Sequence, residues 1–205
     1  MKYLLAFLLF VALLIPLGCD SAPDGVDDSV PAEEINGDAP AMARVDAAPQ
    51  LDGSGEGFTG EPFLVAGTEI YLVHDGELLY VHMEAEVEGW MSVGFNSRGG
   101  GMDGANMILG YLDNGSPAYR DDVGQGRRHS EIGSPAVVDF NFRVDNGKSI
   151  MAFSYPLNFP GGEGFNLEGL SPGETYSMIV AVNNSSYNID GSHSARGSVN
   201  FSVLP

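Results

Sequence analysis

Val138-Asp139-Phe140-Asn141-Phe142-Arg143-Val144-Asp145, then Asn146-Gly147, then Lys148-Ser149-Ile150-Met151-Ala152-Phe153-Ser154-Tyr155 form one unbroken stretch of the chain. The first run alternates apolar and polar residues strictly, the pattern of a strand with one buried face. Asn-Gly accepts positive φ at both positions and suits a two-residue type I′ turn. Pairing outward from that turn puts Val138, Phe140, Phe142 and Val144 on one face with Met151, Phe153 and Tyr155. Asp139, Asn141 and Arg143 fall on the other. A hairpin that is apolar on one side and wet on the other must be covered by a second layer.

Outward from this hairpin, the same kind of signal recurs. Residues 69–74 and 77–87 flank Asp75-Gly76, another turn dipeptide, and pairing from it sets Val73 against Leu78, Tyr71 against Tyr80 and Glu69 against His82. One face then carries Tyr71, Val73, Leu78 and Tyr80, the other Ile70, Leu72, Leu79, Val81 and Met83. Residues 90–95, 106–112 before Asn114-Gly115, 176–183 and 198–204 add further strands. No long 3.6-residue pattern follows the N-terminal segment, and no internal repeat is visible. Eight or nine short strands in series predict an all-β fold, a two-sheet antiparallel β-sandwich.

The chain has 205 residues, with 28 acidic and 9 basic side chains. That balance repels nucleic acid, so no nucleic-acid partner is expected. With a single cysteine there is no disulfide, no thiolate metal cluster and no motif for covalent haem attachment. No Gly-x-Ser-x-Gly elbow appears, and no His is tied by sequence to a nucleophile. A catalytic constellation is therefore not expected.

The N-terminus places one lysine before an apolar run from Leu4 to Leu17, too short to span a bilayer, which reads as an export signal over residues 1–18. Ile15-Pro16-Leu17-Gly18-Cys19 resembles a bacterial lipobox, which implies acylation of Cys19; Pro16 stands where that pattern usually has Leu. The alternative is ordinary secretory cleavage that removes Cys19 or leaves it as a free thiol. Residues 19–40 lack aromatics and are acidic, the composition of a disordered tether. The expected organisation is signal, tether, and one domain over residues 41–205, exported and lipid-anchored to a bacterial membrane, facing the periplasm or the cell exterior.

Gly89-Trp90-Met91-Ser92-Val93-Gly94-Phe95, a glycine-rich loop holding Met102, and Gly104-Ala105-Asn106-Met107-Ile108-Leu109-Gly110 follow one another in an order that resembles the central signature of DOMON domains. Ala48-Pro49-Gln50-Leu51-Asp52-Gly53, Leu79-Tyr80-Val81, Pro172-Gly173-Glu174-Thr175-Tyr176 and His193-Ser194-Ala195-Arg196-Gly197 extend the likeness over residues 41–205. The family includes b-type cytochrome domains and haem-free or sugar-binding relatives, on an immunoglobulin-like sandwich. In the cytochrome members a Met in the loop after the Trp-bearing strand and a His before the last strand ligate the iron, and Met102 and His193 match those positions. The resemblance implies non-covalent haem b held by Met102 and His193, with Arg196 toward a propionate and Trp90 in the core or the haem pocket. A thioether and an imidazole fill both axial positions, and the soft sulfur favours the ferrous state. Gly99 to Gly101 are expected to let the backbone pass close to the porphyrin.

The implied function is electron transfer with a basic or membrane-bound redox partner; the alternative is a haem-free module for a carbohydrate or another small ligand. His129, in a stretch that reads as a polar loop, is the main rival ligand. His74 reads as a surface residue beside a turn, His82 as lying on the opposite face from it, and Lys148 as solvated. Asp121 and Asp122, with Asp103 or Asp113, are the residues a structural Ca²⁺ would use, the alternative being a solvated loop.

Overall fold

The structure, a computed structural model, describes residues 40–97, 101–160 and 167–205. Expectations for residues 1–39, including the signal, the tether and Cys19, and for Gly99 and Gly100, lie outside the described residues.

Twelve strands run in chain order: β1 (Ala41–Arg44), β2 (Phe63–Val65), β3 (Thr68–His74), β4 (Leu78–Ala85), β5 (Met91–Phe95), β6 (Asn106–Asp113), β7 (Ser116–Gln125), β8 (Arg128–Glu131), β9 (Asp139–Asp145), β10 (Lys148–Pro156), β11 (Thr175–Val182) and β12 (Ala195–Val203). They hydrogen-bond in the order β8-β7-β6-β5-β11-β12-β1-β3-β4-β10-β9, with β2 on β3. The fold is an all-β sandwich, and β1 joins its two layers. Ala41 and Met42 pair with Ser202 and Val203 of β12, whereas Ala43 and Arg44 pair with Val73 and His74 of β3. Both β1 pairings are parallel and the remaining ones are antiparallel, so the sheet is mixed rather than purely antiparallel as expected.

The core between the layers is built as the alternation demands. Ile70, Leu72, Leu79, Val81 and Met83 meet Phe142, Met151, Phe153 and Tyr155 from one layer and Met91, Val93, Ile108, Met178 and Val180 from the other. The 138–155 hairpin has the predicted register, with Phe142 opposite Met151 and Phe140 opposite Phe153. Asn146 and Gly147 both have positive φ, 51° and 83°, as the turn requires.

The first hairpin departs by two residues. Val73 pairs with Tyr80, Tyr71 with His82 and Glu69 with Glu84. Asp75 is the cause: its Oδ1 accepts from Glu77 N and Leu78 N, each at 2.8 Å, and its Oδ2 from the Tyr80 hydroxyl at 2.7 Å, which widens the turn. A shift of two preserves the side-chain faces, so the predicted apolar face still enters the core.

Four strands went unrecognised in the sequence: β1, β2, β7 and β8. His74 is not a surface residue; it is fully buried, and its Nε2 donates to the Leu204 carbonyl at 2.8 Å. His82 lies on the opposite face, as expected, buried between Phe58 and Tyr71 and bonded to Glu84. Lys148 is exposed and pairs with Glu86 at 3.0 Å.

Candidate functional site

The layer that contains β5, β6 and β11 is apolar on its outer side as well. On β11, Met178, Val180 and Val182 enter the inner core, so Ile179 and Ala181 face outward; on β6, Met107, Leu109 and Tyr111 do the same. Trp90, Ala105, Met107, Leu109, Ile179 and Ile189 form a second buried cluster there, with Met102, Tyr111 and Ala181 packed on its edge. Between the two flanking strands β5 presents only Ser92 and Gly94. A Cβ on Gly94 would stand 2.9 Å from both Ile179 Cγ1 and Met107 Cγ, so glycine is what lets those two side chains close over the strand.

Two loops cover this face. The first carries Met102 and docks on the end of β7: Gly104 N donates to Gly124 O at 3.0 Å, Gly124 N to Ala105 O at 2.9 Å, and Gly126 N to Asp103 Oδ1 at 2.9 Å. An added Cβ at Gly124 would fall 1.6 Å from the Met102 carbonyl oxygen, so only glycine permits this approach. Gly124 was not singled out in the sequence. Its role arises from a contact 22 residues distant along the chain, which no local pattern reports. Gly101 is exposed, and a Cβ there would meet nothing within 4 Å.

The second loop spans residues 183–194. Trp90 N donates to Ser186 O at 2.9 Å and Asn183 N to Trp90 O at 3.0 Å, which fixes the loop base beside Trp90. Trp90 is 3% exposed, and among the described residues its Nε1–H has no hydrogen-bond partner. His193 is half-buried at the end of this loop, its Nε2 3.4 Å from a terminal nitrogen of Arg196; Ser194 N bonds Val182 O at 2.8 Å. Arg196 lies opposite Ala181 and shares the outer face.

Met102 and His193 therefore reach the same face from its two ends. The Met102 loop runs into Asn106, opposite Phe95 and Met178, whereas His193 precedes the pair Ala195–Val182, where β5 begins. Four residue steps separate these ends, about 13 Å along the strands.

The imidazole beside the Met102 loop is that of His129. It belongs to β8, not to a polar loop, and pairs with Gly124. Asp122, fully buried on β7, accepts from Arg120 Nε at 2.7 Å and from its terminal nitrogen at 2.6 Å, and its Oδ2 also meets His129 Nδ1. A carboxylate has no proton to give, so Nδ1 carries the hydrogen in this contact. Burial pushes Asp122 up, but the bonds and charges of His129 and Arg120 outweigh it and hold the carboxyl below the usual range. Asp190 of the second loop joins this network, its Oδ1 3.2 Å from Arg120.

The adjacent Asp121 points the other way. It is 1% exposed in the inner core and accepts from Asn106 at 2.9 Å, Tyr155 at 2.9 Å and Ala136 N at 3.0 Å. Burial there prevails over those bonds and raises its carboxyl above the usual range. Of the acidic residues weighed for Ca²⁺, Asp121 and Asp122 are buried on β7 rather than in a solvated loop, whereas Asp103 and Asp113 are exposed, and the four do not converge. Asp121 and Asp122 face opposite sides, Asp103 bonds Gly126 and Asp113 bonds Asn114 at a turn. Among the described residues no group of three His, Cys, Asp or Glu side chains is placed to hold a metal ion.

Two open recesses of about 620 and 610 Å³ lie elsewhere, around Leu157, Glu168 and Tyr176. Neither is lined by Met102, Trp90, His193 or Arg196.

Among solved structures, the chain is similar to the cytochrome b domain of pyranose dehydrogenase from Coprinopsis cinerea, at 13% identity and a TM-score of 0.56 over 75% of this chain and 87% of that one. It also matches the cytochrome domain of Myriococcum thermophilum cellobiose dehydrogenase (11% identity, 66% and 74% coverage, TM-score 0.49). A family 9 carbohydrate-binding module from Caldicellulosiruptor kristjanssonii in complex with cellotriose follows (9% identity, 80% and 92% coverage, TM-score 0.47). No curated protein matches the chain. The model of the DOMON domain matches residues 70–183, from the first hairpin through β11, and on that match the chain belongs to the DOMON domain family.

Proposed function

We propose that this protein is a haem b-binding electron-transfer domain without catalysis of its own. The observation that carries the reading is the apolar outer cluster: a thioether at its edge, an imidazole and a guanidinium on its far side, and a buried indole N–H with no acceptor among the described residues.

The residues present fit the group. Met107, Leu109, Ile179 and Ile189 supply an apolar lining, with Met107 and Ile179 packed directly over Gly94. Met102 and His193 are the neutral donor pair suited to both axial positions of haem iron. Haem b supplies a one-electron ferrous–ferric couple when bound. His193 Nε2, which now lies 3.4 Å from Arg196, would hold the iron, and Arg196 would pair through its planar fork with a propionate carboxylate. Trp90 Nε1–H would donate to a ligand oxygen, which would remove the cost of an unmet buried donor, about 1–3 kcal/mol. The cytochrome b domain that shares the fold supports this reading.

The 28 acidic residues favour a basic redox partner, and acylation of Cys19 would hold the exported domain at a membrane.

The test is the ultraviolet-visible spectrum of the purified protein with haem supplied, oxidised and then dithionite-reduced. A sharp Soret band and split visible bands on reduction are expected. Met102→Ala should convert a low-spin spectrum to high-spin and His193→Ala should largely abolish retention, with His129→Ala as the control. A featureless spectrum overturns the haem reading and makes a carbohydrate-binding screen the next experiment; unchanged spectra in both ligand variants overturn the ligand assignment.

A further inference from the structure

The loop over the outer cluster is fastened at its bases and not in its middle. Glu88 N and Trp90 N donate to Asn184 O and Ser186 O, each at 2.9 Å, and Asn184 N donates to the Ser194 hydroxyl at 3.0 Å. Beyond Ser186 the loop's hydrogen bonds turn inward: Asn188 N to Ser186 Oγ, Asp190 N to Asn188 Oδ1 and Gly191 N to Asn188 O. Among the described residues, residues 187–191 hold to the body of the domain through side chains. Tyr187 packs on the rim of the inner core, Ile189 enters the outer cluster beside Trp90, and Asp190 pairs with Arg120.

These attachments differ in kind. Arg120 is immobilised by its two-pronged bond to buried Asp122, whereas the Asp190 side chain is 71% exposed, so the Arg120–Asp190 pair opens into water without stranding a buried charge. Ile189 of the tip shares a buried cluster with Trp90, whose N–H has no acceptor among the described residues.

We propose that residues 187–191 are a hinged tip latched by the Arg120–Asp190 ion pair, whose opening uncovers Trp90 to a flat ligand bearing hydrogen-bond acceptors. The ligand part rests on the reading of the outer cluster as the binding site. Arg120 and Asp190 are then positioning residues that set the rate of access.

The protein contains one tryptophan, so fluorescence reports Trp90 alone. In the haem-free full chain, Asp190→Ala should raise amide exchange in residues 187–191 and acrylamide quenching of Trp90 by about two- to fivefold, the range for losing an exposed ion pair. Asp190→Glu should restore both, and high salt should reproduce the effect in the unmutated chain because exposed pairs are screened. Exchange in residues 187–191 that is identical in Asp190→Ala and the parent, or that rises equally across β5, β6 and β11, overturns the latch. With haem added, quenching of Trp90 should be faster in Asp190→Ala. If haem quenches neither protein while the exchange and acrylamide differences hold, the latch stands and the haem reading is what fails.

Discussion

Asp121 and Asp122 are neighbours on one strand, and they divide the molecule. Asp121 points into the core between the layers, where three neutral donors satisfy it and burial raises its carboxyl. Asp122 points to the outer face, where a guanidinium and an imidazole hold it ionised. The same contrast runs through the two hydrophobic clusters. The inner one is large and locked between two hydrogen-bonded layers. The outer one rests on a single layer and is roofed by loops; among the described residues each side leaves buried polar atoms unpartnered, Trp90 Nε1 on the outer and Thr68 Oγ1, His74 Nδ1 and Asn106 Oδ1 on the inner. What sets the outer cluster apart is its single-layer support, its loop roof, and the thioether and ion-pair network beside it.

The contrast is broken most directly by truncation. Phe153→Ala in the inner core should cost about 3–5 kcal/mol in urea unfolding, whereas Ile189→Ala under the hinged tip should cost about 2 kcal/mol, because the loop can settle into the space. Equal losses would make the outer cluster part of one structural core.

Asp122→Asn should cost about 3 kcal/mol near neutral pH, since it strips the charge from a buried pair and leaves Arg120 facing a neutral amide. The pH dependence of the two aspartates has opposite sign. The folded carboxyl of Asp122 lies below 3.8, so its contribution is present above the unfolded value and fades as pH falls through the folded one. Asp121 lies above 3.8, so its contribution is present below the unfolded value and is lost as pH rises through the folded one. Asp121→Asn, which mimics the protonated form, should therefore lose little stability and flatten the alkaline side of the profile. A profile changed in the same sense by both variants would contradict the inner-outer division.

The smallest expected effect on stability is the most specific for the site. Gly124→Ala pushes the Met102 carbonyl away and should cost about 1–3 kcal/mol, less if the loop swings outward. The haem-loaded variant should lose the low-spin spectrum as Met102→Ala does. Retention of that spectrum would remove Gly124 from the placement of Met102.

Several of these features were legible in the residues themselves. Strict alternation around Asn146-Gly147 settled one hairpin, faces and register together, because a two-residue primed turn admits a single pairing. Around Asp75-Gly76 the faces were legible and the register was not, because a side chain capping two amides two and three residues on lengthens the turn without changing the apolar pattern. β7 escaped notice because Tyr119-Arg120-Asp121-Asp122 reads as polar surface, and its burial depends on donors from β6, β8, β10 and the 133–138 segment.

The order of apolar and turn residues by itself determined the all-β class and most of the strands, since period and turn chemistry are local properties; the residues offered for the site came from the resemblance to DOMON domains. Only the tertiary structure decided that Met102 and His193 enter one face from opposite ends, that His129 is tied to a buried carboxylate, and that Gly124 supports the Met102 loop. Those are contacts between segments far apart in the chain, set by which strands pair and which loops then meet above them, and local patterning carries no record of them.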